Sequence, residues 1–153
     1  MIDSSYFHNA VIGHEIKSRA LSTTIQNSRI QDQSGTASYS IDLPNGGDAL
    51  ISNNTIEQGP NSDNPVVIAF GEEGGVYSGS SLQVTNNLML NDLNPARSSP
   101  LAINNTVSSV TAQINGNRFF GFTQSQVANG ANTQSGNIFL TAEPTLLVTH
   151  PWA

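Results

Sequence analysis

The sequence predicts an all-β solenoid of about five to six coils, each built from three short strands, and three observations carry that prediction. A corner skeleton recurs: an apolar residue, a spacer, a polar pair, a spacer and a second apolar residue. It reads Leu50-Ile51-Ser52-Asn53-Asn54-Thr55-Ile56 in its clearest copy. Its first apolar residues fall at positions 2, 25, 51, 84 and 114, so successive steps are 23, 26, 33 and 30 residues. Repeats of this length mark units that bury their apolar face only against their neighbours. A short apolar strand with a central isoleucine follows each corner, and Gly, Pro and Asn interrupt every window long enough for a helix.

The corners come first in each coil. The other copies are Ile2-Asp3-Ser4-Ser5-Tyr6-Phe7, Ile25-Gln26-Asn27-Ser28-Arg29-Ile30, Val84-Thr85-Asn86-Asn87-Leu88-Met89 and Ile114-Asn115-Gly116-Asn117-Arg118-Phe119. Two strands meeting at a bend explain the spacing, with Ile51 and Ile56 inward and Asn53-Asn54 at the bend. Asparagine tolerates left-handed backbone and bonds local amides. Stacked corners then place one amide over the next, an asparagine ladder. Asn53-Asn54-Thr55 and Asn104-Asn105-Thr106 match glycosylation sequons, but ladder or turn asparagines account for both.

The third strand of each coil is expected at His14-Glu15-Ile16-Lys17-Ser18, Tyr39-Ser40-Ile41-Asp42-Leu43, Val66-Val67-Ile68-Ala69-Phe70, Leu101-Ala102-Ile103-Asn104 and Asn137-Ile138-Phe139-Leu140. Aligned on their centres, Ile16, Ile41, Ile68, Ile103 and Ile138 form one inward stack. Strict alternation turns Glu15, Lys17, Ser40, Asp42, Val67 and Ala69 outward. The continuous apolar run from 66 to 70 predicts a cover over its outer side. Between strands, 31–37 and 44–48 are tight turns, while 71–79 and 91–100 are long loops. Residues 121–136, rich in Gln, Ser, Asn and Gly, are expected as a loose loop anchored by Phe119, Phe120 and Phe122. Residues 137–153 are expected to close the stack, with a final strand at Leu146-Leu147-Val148-Thr149-His150-Pro151-Trp152.

By length the 153 residues form a single domain, 1–153. Five coils give a rod roughly 24 Å long. The first repeat starts at Ile2 with no capping segment before it. That predicts either a piece of a longer solenoid or an end covered by a partner, including a second copy of the chain. The formal charge of −6 and the absence of basic runs exclude a phosphate-neutralising nucleic-acid surface. There is no cysteine, no apolar run long enough to span a bilayer, and no lipidation motif, so no membrane partner is expected. His8, His14 and His150 lack zinc-ligand spacing and no calcium-loop repeat is present, so no metal ligand is assigned.

Only 10% of residues are charged, so their concentration is informative. Lys17 and Arg19 sit in Gly13-His14-Glu15-Ile16-Lys17-Ser18-Arg19-Ala20. One coil on, Asp42 falls beside Lys17, and Glu72-Glu73 leave the equivalent strand a coil later. His14, Glu15, Lys17, Arg19, Tyr39, Asp42, Glu72 and Glu73 are thereby expected on one outer face. Three readings of that face compete: a cross-strand ion pair that is only part of the wall, a polysaccharide site, or a metal site on Asp42, Glu72 and Glu73.

The corner pattern resembles that of pectin-lyase-like proteins, which implies a right-handed parallel β-helix. The segments 13–20 and Ser38-Tyr39-Ser40-Ile41-Asp42-Leu43-Pro44-Asn45-Gly46-Gly47 are similar to bacterial right-handed β-helix repeat proteins. A looser resemblance is to the polysaccharide lyases that include chondroitinase B and alginate lyases, where a Lys-Ser precedes the next asparagine corner as Lys17-Ser18 precedes Asn27. That resemblance implies a lysine base acting beside a calcium-held uronate carboxylate, with an arginine as acid. Lys17 takes the base position, Asp42 stands where the arginine belongs, and Arg19 would have to replace it. His14, Glu15, Tyr39, Glu72 and Glu73 would bind substrate. Together these readings imply a carbohydrate-associated module of a bacterial envelope or secreted protein, with no cofactor unless the lyase reading brings calcium. A structural or adhesive solenoid and a uronan lyase or epimerase are the alternatives.

Overall fold

The structure is a computed structural model and describes residues 1–93 and 99–147. Its first coil is β1 (Ile2–Asp3), β2 (Tyr6–His8) and β3 (His14–Lys17). The second is β4 (Ser22–Gln26), β5 (Arg29–Gln31) and β6 (Tyr39–Leu43). The third is β7 (Asp48–Ser52), β8 (Thr55–Gln58) and β9 (Val66–Phe70). The fourth is β10 (Ser81–Thr85), β11 (Leu88–Asn91) and β12 (Leu101–Asn105). The fifth is β13 (Ala112–Asn115), β14 (Arg118–Phe120) and β15 (Ala128–Asn129), and β16 (Asn132–Ser135) with β17 (Ile138–Phe139) opens a sixth. Like strands of successive coils stack in parallel. Sheet A runs β1-β4-β7-β10-β13-β16, sheet B β2-β5-β8-β11-β14-β17, and sheet C β3-β6-β9-β12-β15. This is a right-handed parallel β-helix: the solenoid that the repeats predict, in the form the resemblance implies.

Register follows the repeat without a slip. Ile2, Ile25, Ile51, Val84 and Ile114 lie side by side across sheet A. Sheet B aligns Phe7, Ile30, Ile56, Met89 and Phe119. Sheet C aligns Ile16, Ile41, Ile68 and Ile103. Apart from the end-coil residues Ile2 and Phe7, these anchors are buried and form one core. Each side chain removed from water contributes about 1.5–3 kcal/mol.

The bends between sheets A and B are built from two adjacent columns. The exposed column, Ser4, Asn27, Asn53, Asn86 and Gly116, has φ between 48° and 67°, the left-handed region that Asn and Gly adopt most cheaply. The next column turns inward and forms the ladder. Backbone N–H groups of Ser28, Asn54, Asn87 and Asn117 donate to the side-chain oxygens of Asn54, Asn87, Asn117 and Asn137, each at 2.9 Å. The Asn54, Asn87 and Asn117 amides also donate to the carbonyls of Ile25, Ile51 and Val84. The buried corner thus leaves its backbone groups satisfied.

Several expectations are corrected. Ile138 does not join the sheet C stack: it pairs with Arg118 in sheet B and is exposed, and Ala128 takes the place beside Ile103. Asn137 is the ladder residue of a sixth corner, so the residues after it begin sheet B. Residues 121–136 are not a loose loop. They hold a short 3-10 turn (Gln124–Gln126), β15 and β16. At the end of the stack an inward-register position no longer needs an apolar residue. Gln134 follows Ile114 in register and is bonded by the Gln124 amide instead.

The segment after β17 does not close the stack as a strand where it is described. Leu140 N–H still donates to Phe119, but residues 140–147 form no strand, and Leu147 carbonyl accepts from Arg29 Nη1 at 2.7 Å. The chain has therefore turned back from the sixth coil to the second. The remainder of that expected strand, and His150, lie outside the described residues, as do 94–98 of the 91–100 loop.

Candidate functional site

The charged face forms on sheet C because that sheet breaks strict alternation. Ser40, Val67 and Ala102 are buried, although they precede the equally buried isoleucine column. Two consecutive positions therefore turn away from solvent, and the residues flanking them share the outer side. His14 and Tyr39 thus lie on the same side as Lys17 and Asp42. Register pairs His14 with Tyr39 and Lys17 with Asp42.

Asp42 is the centre of the group, 2% exposed. Lys17 Nζ lies 2.7 Å from its Oδ2, and His14 Nε2 lies 3.3 Å from the same oxygen. The loop after β9 supplies the second carboxylate: Glu73 Oε1 accepts from Lys17 Nζ at 2.6 Å, and its Oε2 pairs with Arg19. Arg19 also donates to Asn45 Oδ1 at 2.9 Å, and its carbonyl accepts from the Tyr77 hydroxyl. This loop reaches back over two coils and lies on the side of Ala69, which is fully buried although its register faces outward. The cover expected over the 66–70 run is consistent with that placement.

A second chain of contacts adjoins the first. The rings of His14 and Tyr39 stack with centroids 5.1 Å apart and planes 7° from parallel. Tyr39 hydroxyl donates to Glu72 Oε2 at 2.6 Å, Asn104 Nδ2 donates to Glu72 Oε1 at 2.5 Å, and Asn129 Nδ2 donates to Asn104 Oδ1 at 3.1 Å. The row crosses sheet C from the first coil to the fifth.

Charge states follow from these contacts. Hydrogen bonds to Asp42 and then to Glu73 raise Lys17 above the ordinary lysine range, so it stays an ammonium. Bonds from Lys17 and Arg19 bring Glu73 down to about 2. Burial lowers His14 against the pull of Asp42, leaving the imidazole neutral at pH 7. Burial, then the bond to Glu72, pushes the Tyr39 phenol up to about 12. A base must be able to lose its proton near the working pH, and Lys17 is held in the opposite state.

Seven of the eight expected residues come together: His14, Lys17, Arg19, Tyr39, Asp42, Glu72 and Glu73. Glu15 does not join them. It is half-buried at the position that Ser40 and Val67 take in the next coils, its Oε1 accepts from Ala10 N–H at 2.7 Å, and burial raises its carboxyl. Asn104, Asn129, Asn45 and Tyr77 were not expected. Asn104 was legible in principle, because it occupies the Asp42 column two coils on. Tyr77 and Asn45 join through the long loop, which leaves no periodic signal. Among the described residues no group of three or more His, Asp or Glu side chains is placed to hold a metal ion. A separate cavity of about 180 Å³ at the sixth corner is lined by Gln124, Gln134, Ser135, Gly136 and Asn137, none of them charged. Comparison of the chain with protein-family models, with curated proteins and with solved structures found no match to any of them.

Proposed function

We propose that the outer face of sheet C binds a polysaccharide without cleaving it. The observation that carries this reading is the row His14–Tyr39–Glu72–Asn104–Asn129, an aromatic stack continued by amide and carboxylate groups across five coils. Coils repeat about every 4.8 Å, so the row offers polar groups at regular intervals to an extended chain. Three carboxylates, Asp42, Glu72 and Glu73, stand against two cations, Lys17 and Arg19. That balance favours a neutral or amino-bearing glycan over a polyuronate. A pectin-lyase-like carbohydrate module of an extracellular or envelope protein is the setting this reading fits.

Binding of neutral polysaccharides and alginate to the immobilised protein tests it. Asn104→Ala and Tyr39→Ala should each weaken neutral-glycan binding about 3–10-fold, the worth of one hydrogen bond. Gln113→Ala on sheet A should leave it unchanged. No binding by the parent protein, or equal loss in all three variants, would refute the site. A structural solenoid is the second reading. It is favoured by the mutual pairing of Lys17, Arg19, Asp42 and Glu73, which leaves these charges satisfied without a ligand.

A further inference from the structure

The asparagine ladder joins each corner to the next in the same way. Two consecutive backbone N–H groups reach forward. The first donates to a backbone carbonyl: Asn27 to Ser52, Asn53 to Thr85, Asn86 to Asn115 and Gly116 to Ser135. The second donates to the asparagine side chain two residues after that carbonyl, on Asn54, Asn87, Asn117 and Asn137. The carbonyls of Asn54, Asn87 and Asn117 accept from the N–H of Leu88, Arg118 and Ile138, the residue after the next rung. Each ladder carboxamide turns its oxygen and one N–H toward the preceding coil. Asn54 shows this, with Oδ1 on Ser28 N–H and Nδ2 on the Ile25 carbonyl.

At the sixth corner the same groups stand with nothing beyond them. β16 and β17 are the outermost strands of sheets A and B. Gly136 holds the left-handed position, with φ of 63°, and Asn137 is the rung. One Asn137 Nδ2 hydrogen goes back to the Ile114 carbonyl at 2.9 Å. Its second Nδ2 hydrogen, its backbone N–H and carbonyl, and the Gly136 N–H have no partner among the described residues. Gln134 follows Ile114 in register, so its carbonyl repeats the Ile114 carbonyl one coil on. The chain after β17 runs back to Arg29 instead of covering this corner. The cavity of about 180 Å³ is lined by these same residues, Gln134, Gly136 and Asn137, with Gln124 and Ser135.

We propose that the sixth corner docks an extended peptide of another chain through one asparagine, whose side chain becomes a seventh rung. The free groups specify that chemistry. The two Asn137 donors require an oxygen, and the Gln134 carbonyl requires an N–H on the same edge of the same group. A primary carboxamide carries both on one edge. A carboxylate has no hydrogen to give, and the trans amide of an acetamido sugar carries its oxygen and hydrogen on opposite edges. A small free carboxamide would leave the Gly136 N–H and the Asn137 carbonyl unanswered. A peptide strand answers them with a carbonyl two residues before its asparagine and the N–H just after it, a form of strand addition at an open edge. The residue between carbonyl and asparagine must be left-handed, so Asn or Gly is favoured there. The site is separate from the sheet C face and does not rest on the glycan reading.

Proton–nitrogen NMR of the whole labelled chain tests this without altering the protein. The probe is a synthetic peptide copying residues 48–58, whose Ser52-Asn53-Asn54 has the required spacing. The expected result is saturable shifts of the Gly136 N–H, the Asn137 N–H and the Asn137 side-chain amide, with Tyr39 and Asn104 on sheet C unmoved. The same peptide carrying Asn54→Asp keeps an oxygen but loses the hydrogen for Gln134, and it should bind about 10-fold more weakly or worse. No saturable shift at Gly136 and Asn137, or equal binding of the two peptides, would overturn the proposal. Shifts there that follow protein concentration and ignore the peptide would place a second copy of the chain at the corner and overturn it too.

Discussion

Replacing Asn87 by leucine tests the ladder where it is most complete. Its Oδ1 accepts from the backbone N–H of Asn54 at 2.9 Å and from the Asn54 amide at 3.0 Å. Its Nδ2 donates to Ile51 carbonyl at 2.9 Å and to Asn117 Oδ1 at 3.0 Å. Leucine fills a similar volume but strands the Asn54 N–H and the Ile51 carbonyl in a site 1% exposed. Each orphaned buried group costs about 1–3 kcal/mol, so the loss should be about 2–6 kcal/mol. Ser5→Ala, at the first corner, removes one bond from Ser5 Oγ to Asp3 carbonyl in a half-exposed site and should cost less than about 1 kcal/mol. Urea denaturation of both variants, followed by circular dichroism, compares them. Coils couple mainly to their neighbours, so exchange protection should fall first in 51–56 and 84–89. Equal losses at the two sites, or no loss at Asn87, would refute the claim that the corner amides hold the coils together.

Other outcomes follow from the charged face and the turns. Lys17→Ala leaves the buried Asp42 with His14 as its remaining ion-pair partner among the described residues, so the denaturation free energy should fall by about 1–3 kcal/mol, more than an exposed pair would lose. Neither the parent protein nor that variant should raise ultraviolet absorbance on alginate, since Lys17 is held as an ammonium; a lysine-dependent rise would restore the lyase reading. The Glu73 carboxyl is depressed to about 2 by the bonds from Lys17 and Arg19. Its contribution is present above the ordinary glutamate range and lost as pH falls through about 2, so its NMR titration midpoint should rise towards the ordinary range in Lys17→Ala. Gly47→Ala should destabilise by about 1–3 kcal/mol. Gly47 has φ of 96°, and an added Cβ would stand 2.7 Å from Leu21 carbonyl oxygen.

The architecture was legible because a coil writes itself into the chain locally. Each corner needs a left-handed residue followed by a polar side chain that can bridge to the neighbouring coil. Each strand needs an apolar residue at a fixed distance from that corner. Asn53, Asn54, Ile51 and Ile56 satisfy those needs within a few residues, and the stack Ile16, Ile41, Ile68 and Ile103 follows from the same spacing. Lys17 beside Asp42 was readable for the same reason, since parallel strands in register bring equivalent positions together.

The rest depended on contacts the repeat does not encode. Residues 121–136 read as a loop because β16 is polar, and at the end of a stack a strand can be held by backbone pairing and amide bonds without apolar anchors. The break in alternation that half-buries Glu15 and puts His14 on the side of Asp42 comes from two consecutive positions of sheet C turning away from solvent, which strand spacing does not specify. The loop holding Glu72 and Glu73 reaches back two coils, and the segment after β17 returns to Arg29. Distant pieces of chain thereby decided which outward residues are buried. Sequence spacing specifies which residues lie side by side within a sheet, because that follows from a local backbone period. It does not specify what lies over the sheet, because loop paths are chosen by the packing of the whole chain.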